Sequence, residues 1–160
     1  MLNWIIKAIK MKKTRYNTTE QMKGSVVYKT VADFSKGLVR VGDIENDGTP
    51  LVVCYYRPNN QQYLLSLWVD CADNTDRWIF VTVKSSDILA YMNKTISMHR
   101  IVIEEKPSLV LSLSNNVQRR KNISILQRFP EDCSTDYYFD SNYCKEERII
   151  RQFIVHNPSV

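Results

Sequence analysis

Hydrophobic residues along this chain recur at two different periods, and the elements change where the period changes. In LNWIIKAIKMKK (residues 2–13), Leu2, Ile5, Ile6 and Ile9 share one side while Lys7, Lys10 and Lys13 share the other, which is the pattern of a short amphipathic helix. The stretch TRYNTTEQMKG that follows is polar and aperiodic and reads as a linker, so residues 1–23 stand apart from a single body over 24–160. From Ser25 to Val83 the apolar residues gather into five runs rich in β-branched and aromatic side chains: SVVYKTV (25–31), LVRVGDI (38–44), LVVCYYR (51–57), YLLSLWVD (63–70) and RWIFVTV (77–83). Asn46-Asp47-Gly48, Pro58-Asn59-Asn60 and Asp73-Asn74 separate them, and connections this short force antiparallel neighbours. Gly42 interrupts the alternation of its run and marks a β-bulge.

Beyond Val83 the spacing turns helical again. Ser85 or Ser86 can cap a helix carrying Ile88, Leu89, Tyr91 and Met92, which stops near Asn93. ISMHRIVI fits a short helix or a strand. SLVLSLS alternates Leu109, Leu111 and Leu113 against Val110, Ser112 and Ser114, as a half-buried strand does, and NISILQ (122–127) is its natural pairing partner. A last helix places Ile149, Ile150, Phe153 and Ile154 on one face, opened by Glu146 and Glu147 and closed by Arg148 and Arg151 in keeping with the helix dipole. The fold class these elements predict is α+β: an antiparallel meander of about five strands, packed by short helices on one face.

The segment YLLSLWVDCADNTDRWIFVTVKSSDILAYMNKTISM resembles an uncharacterised family of bacterial domains. In that family a strand ending in Trp-Val-Asp, an acidic hairpin loop, an aromatic strand and a short helix follow one another. The resemblance covers about residues 38–105 and implies a bacterial or phage origin, with no chemistry attached to it. It further suggests a small accessory subunit, with antiphage defence or counter-defence as its setting.

Composition narrows the classes. With 160 residues, 44% apolar and 24% charged, and only 4 Gly and 5 Pro, the chain has the balance of one globular domain and no low-complexity segment. Its longest apolar runs fall far short of the ~20 residues that span a bilayer, so no transmembrane segment is predicted. The four cysteines are widely spaced and no signal sequence is apparent, so the expected compartment is the cytosol. Cys54, inside LVVCYY, then reads as a buried thiol, and the sequons at Asn17, Asn93 and Asn122 as chance matches.

The net charge of +5 is not spread evenly. Residues 1–23 hold six basic side chains against Glu20 alone, while the rest of the chain carries 16 of each sign. Any pull on phosphate therefore belongs to Lys7, Lys10 and Lys13, with a second small cluster at Arg119, Arg120 and Lys121.

Catalytic patterns are thin. Gly-rich phosphate loops, nucleophile elbows and the His-Glu-x-x-His helix are missing, and the only imidazoles, His99 and His156, read as structural or solvated. No paired Cys or His spacing suggests zinc, and no cofactor is implied. Asp70, Asp73 and Asp76 share a hairpin loop and could recruit a divalent cation, which keeps a metal-dependent enzyme as a distant alternative; a turn at Asp73-Asn74, with Asp70 or Asp76 paired to Arg77, explains them more simply. Tyr55, Tyr56, Tyr63, Trp68 and Trp78 lie among apolar neighbours and read as core.

Two segments remain with surfaces to account for. The apolar side of the first helix, with Leu2, Ile5, Ile6 and Ile9, must be covered by its own body, a partner or a membrane surface, and Trp4, Ile5 and Ile9 are its candidate partner contacts. EDCSTDYYFDSNY (131–143) sets Glu131, Asp132, Asp136 and Asp140 among four aromatics, and is either a loop pinned by its tyrosines or an adhesive surface through Tyr137, Tyr138 and Asp140. The function expected is a non-enzymatic protein-interaction module, with nucleic-acid binding through the basic segment as the alternative.

Overall fold

Runs as apolar as LVVCYY and YLLSLW leave a strand no wet side, so they take the middle of a sheet covered on both faces. The computed structural model describes residues 31–72, 75–116 and 121–159. Six strands, β1 (Val39–Asn46), β2 (Pro50–Arg57), β3 (Gln62–Ala72), β4 (Thr75–Val83), β5 (Val110–Asn116) and β6 (Lys121–Leu126), form one antiparallel sheet in sequence order. The turn chemistry does the connecting. Gly48, at φ 111, closes the β1–β2 turn while its N–H donates to Asn46 Oδ1 at 2.8 Å, and Pro58–Asn60 makes a 3₁₀ turn that ends on Gln61 in the left-handed region. The pairing of β1 with β2 slips at Gly42, where the bulge was expected.

The strand number corrects the expected five. SVVYKTV lies outside the described residues apart from Val31, which opens helix α1 (Val31–Ser35). The fifth and sixth strands are β5 and β6, the pair read from SLVLSLS and NISILQ, where Leu111 and Leu113 pair with Ile125 and Ile123. A helical excursion between β4 and β5 separates them in sequence from the hairpins they extend.

The first face of the sheet, with Val52, Cys54, Leu65, Leu67, Ile79 and Val81, carries the larger core. Over it lie helix α2 (Ser85–Met92), a π-helical turn at Arg100–Glu104, the loop 127–146 and helix α3 (Glu147–His156). ISMHRIVI thus resolves into the π-turn, which inserts Ile101 and Val102. The second face presents Val53, Tyr55, Leu64, Trp78, Phe80, Leu111, Leu113, Ile123 and Ile125, all buried. Among the described residues only Phe34, Leu38 and Leu109 join this cluster from outside β2–β6. Phe34 meets Phe80 edge-on at 5.0 Å, and Arg57 holds α1 in place by donating to the carbonyls of Phe34 and Lys36. Helices therefore pack on both faces rather than one, because both faces are apolar.

Helix α2 has eight residues, too few to persist alone in water. Its ends are held by distant residues. The expected serine cap is corrected: Lys84 occupies the cap position without a side-chain bond, and Ser85 N–H donates to Ser159 Oγ at 2.8 Å, while Ser159 N–H returns a bond to Ser85 Oγ at 2.9 Å. At the other end Arg151 donates to the Met92 carbonyl at 2.7 Å and to Asn93 Oδ1 at 2.8 Å. Arg148 and Arg151 therefore do not close α3, which continues to His156. Among the described residues no helix is long and apolar enough to cross a membrane.

Candidate functional site

The acidic, aromatic stretch singled out in the sequence runs across the first face as part of the loop 127–146. It is fixed by main-chain bonds, Met98 N–H to Tyr137 O and His99 N–H to Thr135 O, both 2.9 Å, and by His99 Nδ1 at 3.0 Å from Thr135 Oγ1. From Thr135 to Asp140 the burial alternates residue by residue. Thr135, Tyr137 and Phe139 turn inward, and Phe139 meets Tyr91 edge-on at 5.8 Å. Asp136, Tyr138 and Asp140 turn outward, with Tyr138 60% exposed. Period two is what an extended segment imposes, and it divides the neighbouring tyrosines between two tasks. Tyr137 packs against the core and Tyr138 faces solvent. Asp140 Oδ1 accepts from Asn142 N–H at 2.9 Å and so starts the 3₁₀ turn Ser141–Tyr143, whose Tyr143 is 44% exposed. His99 faces Asp136 at 3.9 Å, and Arg77 reaches Asp132 at 3.9 Å and Cys133 Sγ at 3.7 Å, which ties the loop back to β4.

Beneath Tyr137 lies a pocket of about 250 Å³ between the loop and the ends of β1–β3, lined among others by Val52, Leu67, Val69, Phe129 and Tyr137. One carboxylate borders it, Glu45, half-buried on the first face opposite Val52. Burial, then the nearby charges of Asp47 and Asp140, raise the Glu45 pKa above the ordinary carboxylate value. Burial and the Glu45 charge likewise push up the phenol of Tyr137; at Tyr91 burial leads, followed by Tyr137 and Glu45. Among the described residues Glu45 has no cation within ion-pair distance. Glu45 went unread in the sequence because one acid beside a hairpin turn looks solvated, and the loop that half-buries it arrives from far along the chain.

Of the remaining candidates, Trp4, Ile5, Ile9, Lys7, Lys10 and Lys13 lie outside the described residues, as do Arg119 and Arg120, while Lys121 begins β6. His156 is exposed on α3, its Nδ1 bonded to Gln152 O at 2.6 Å. Cys54 is fully buried in the first-face core. Among the described residues no three His, Cys, Asp or Glu side chains stand together as a metal site. A second cleft, of about 310 Å³, lies between α2 and the π-turn with Asp87, Lys84, Glu105 and Lys106 on its walls; charges of both signs give it no preferred ligand. Compared with known families, curated proteins and solved structures, the chain has no match.

Proposed function

We propose that the protein is a non-enzymatic interaction module, a small accessory subunit that docks a partner protein through the outer side of the loop, with Asp136, Tyr138 and Asp140 as its contact residues and Tyr143 beside them. One observation carries this reading. Tyr138 projects 60% exposed from a backbone that is hydrogen-bonded in place. An aromatic ring already held by its main chain loses little freedom on binding, which is how interface anchors gain affinity. The first helix, through Trp4, Ile5 and Ile9, is the second contact in this reading, within a bacterial or phage assembly.

The test is co-purification from the native host with quantitative mass spectrometry, using the full chain. Tyr138→Ala combined with Asp140→Asn should reduce one co-purifying protein at least tenfold without changing thermal stability, and Ile5→Ser with Ile9→Ser should reduce the same protein. Equal recovery with the Tyr138 variant would refute the reading. The concentration of the whole net charge of +5 in residues 1–23 favours one alternative, nucleic-acid binding. There, Lys7, Lys10 and Lys13 changed to Gln would abolish binding, and affinity in the wild type would fall steeply with salt.

A further inference from the structure

We propose that the pocket beneath Tyr137 receives the side-chain cation of a lysine or arginine presented by the docked partner, with Glu45 as the receiving carboxylate. This rests on the docking reading above and gives it a chemical specificity. Three features of the pocket select the occupant.

Size comes first. At about 250 Å³ the pocket is smaller than the roughly 300–1,000 Å³ typical of small-molecule and cofactor sites, and it suits one long side chain. Its walls, Val52, Leu67 and Val69, offer apolar surface to a methylene stem, and the rings of Phe129 and Tyr137 suit a cation at its tip. Charge comes second. Glu45 sits at the wall near Asp47 and Asp140, and no described cation neutralises the three. An anion would be repelled, and a neutral apolar guest would cover the carboxylate without pairing it, which is the costly arrangement. A cation alone turns the burial of Glu45 from a penalty into an attraction.

Position comes third. Ser134 and Tyr137 line the pocket and interleave with Asp136 and Tyr138 along the same extended segment, so the pocket and the docking surface share one stretch of chain. A partner strand laid along Asp136, Tyr138 and Asp140 would pass the pocket, and a basic residue in it could reach Glu45.

The probe is a hexalysine peptide titrated into the full-length protein and followed by amide chemical shifts. Shifts should concentrate at Glu45, Val69 and Tyr137. Glu45→Gln should weaken binding at least tenfold while leaving the thermal midpoint at pH 7 unchanged or higher, since a carboxylate serving only the fold would lower it when removed. Tyr137→Phe, which keeps the ring, should weaken binding by about threefold, and a peptide with norleucine for lysine should not bind. Three results overturn the proposal: undiminished binding to Glu45→Gln, equal binding of the norleucine peptide, or a gain of tenfold or more when Lys7, Lys10, Lys12 and Lys13 are changed to Gln. The last would make the chain's own basic segment the occupant. Failure of these titrations while Tyr138-dependent co-purification persists removes the pocket assignment alone, whereas loss of the co-purification effect with an intact lysine response removes the docking reading alone.

Discussion

Gly42 and Ile150 stand so close that a Cβ on the glycine would lie 2.8 Å from Ile150 Cγ1 and 2.4 Å from Glu146 Oε2. The absent side chain is what lets α3 settle on β1, where Asp43 N–H also reaches Glu146 Oε2 at 3.3 Å. Arg40 adds to the junction, 2.7 Å from Asp43 and 3.5 Å from Glu146. Burial works against its charge, but the two carboxylates outweigh it and hold the guanidinium pKa above its usual value. The Glu146 carboxylate can swing aside, but Ile150 is fully buried and cannot. Gly42→Ala should therefore destabilise the fold by about 1–3 kcal/mol through overpacking, read as a lower urea midpoint with unchanged slope.

Arg151 gives a second expectation. Its guanidinium spans the Met92 carbonyl, Asn93 Oδ1 and, at 3.0 Å, Glu147 Oε1. Arg151→Ala should cost about 1–2 kcal/mol, since it frees the end of α2 and strands a carbonyl. Arg151→Lys should recover only part of this, because a single ammonium cannot bridge the same acceptors. Urea denaturation of both variants decides it; full recovery by lysine would show that charge alone matters.

High pH should weaken the protein. Burial pushes the Cys144 thiol up to about 11 and raises Cys54, Tyr55, Tyr63, Tyr91 and Tyr137 as well. In the unfolded chain thiols lose their protons near pH ~8.5 and phenols near ~10, before their folded counterparts do. The folded state therefore binds more protons in that window, and stability falls as pH rises from about 8.5 to 11. Urea midpoints between pH 7.5 and 10.5 should decline steadily. In pulse labelling at pH 8, Cys133, which is partly exposed, should react well before Cys54 and Cys144.

Treatment with a strong chelator should leave the thermal midpoint where it was. The expectation rests on the described residues, which gather no set of three ligating side chains. Stoichiometric zinc in elemental analysis of the purified protein would contradict this.

The parts legible in the sequence were those fixed locally. The hairpins β1–β4 follow from Asn46-Asp47-Gly48 and Pro58-Asn59-Asn60, and the extent of α2 and the start of α3 follow from their apolar spacing, while α3 runs past Arg151 to His156. What was hidden depended on residues far apart. Ser159 and Arg151 hold α2, yet neither is marked by anything near Ser85 or Met92. In the candidate site Tyr137, Tyr138 and Asp140 stood out by composition, but their division into inward and outward residues needed the core that Phe139 enters. Glu45 was invisible for the same reason.

The hold of Ser159 and Arg151 on α2 has a consequence for the order in which the chain acquires its shape during synthesis. A meander can be laid down hairpin by hairpin as it leaves the ribosome, since each strand pairs with the one before it. The face over β1 cannot be finished that way, because Asp43 meets Glu146 across 103 positions and α2 waits 74 positions for the serine that caps it. A nascent chain stalled before α3 would carry a finished ribbon whose greasy side is bare over β1, and a short helix untethered at both ends. Chaperone capture and aggregation are most expected at that stage.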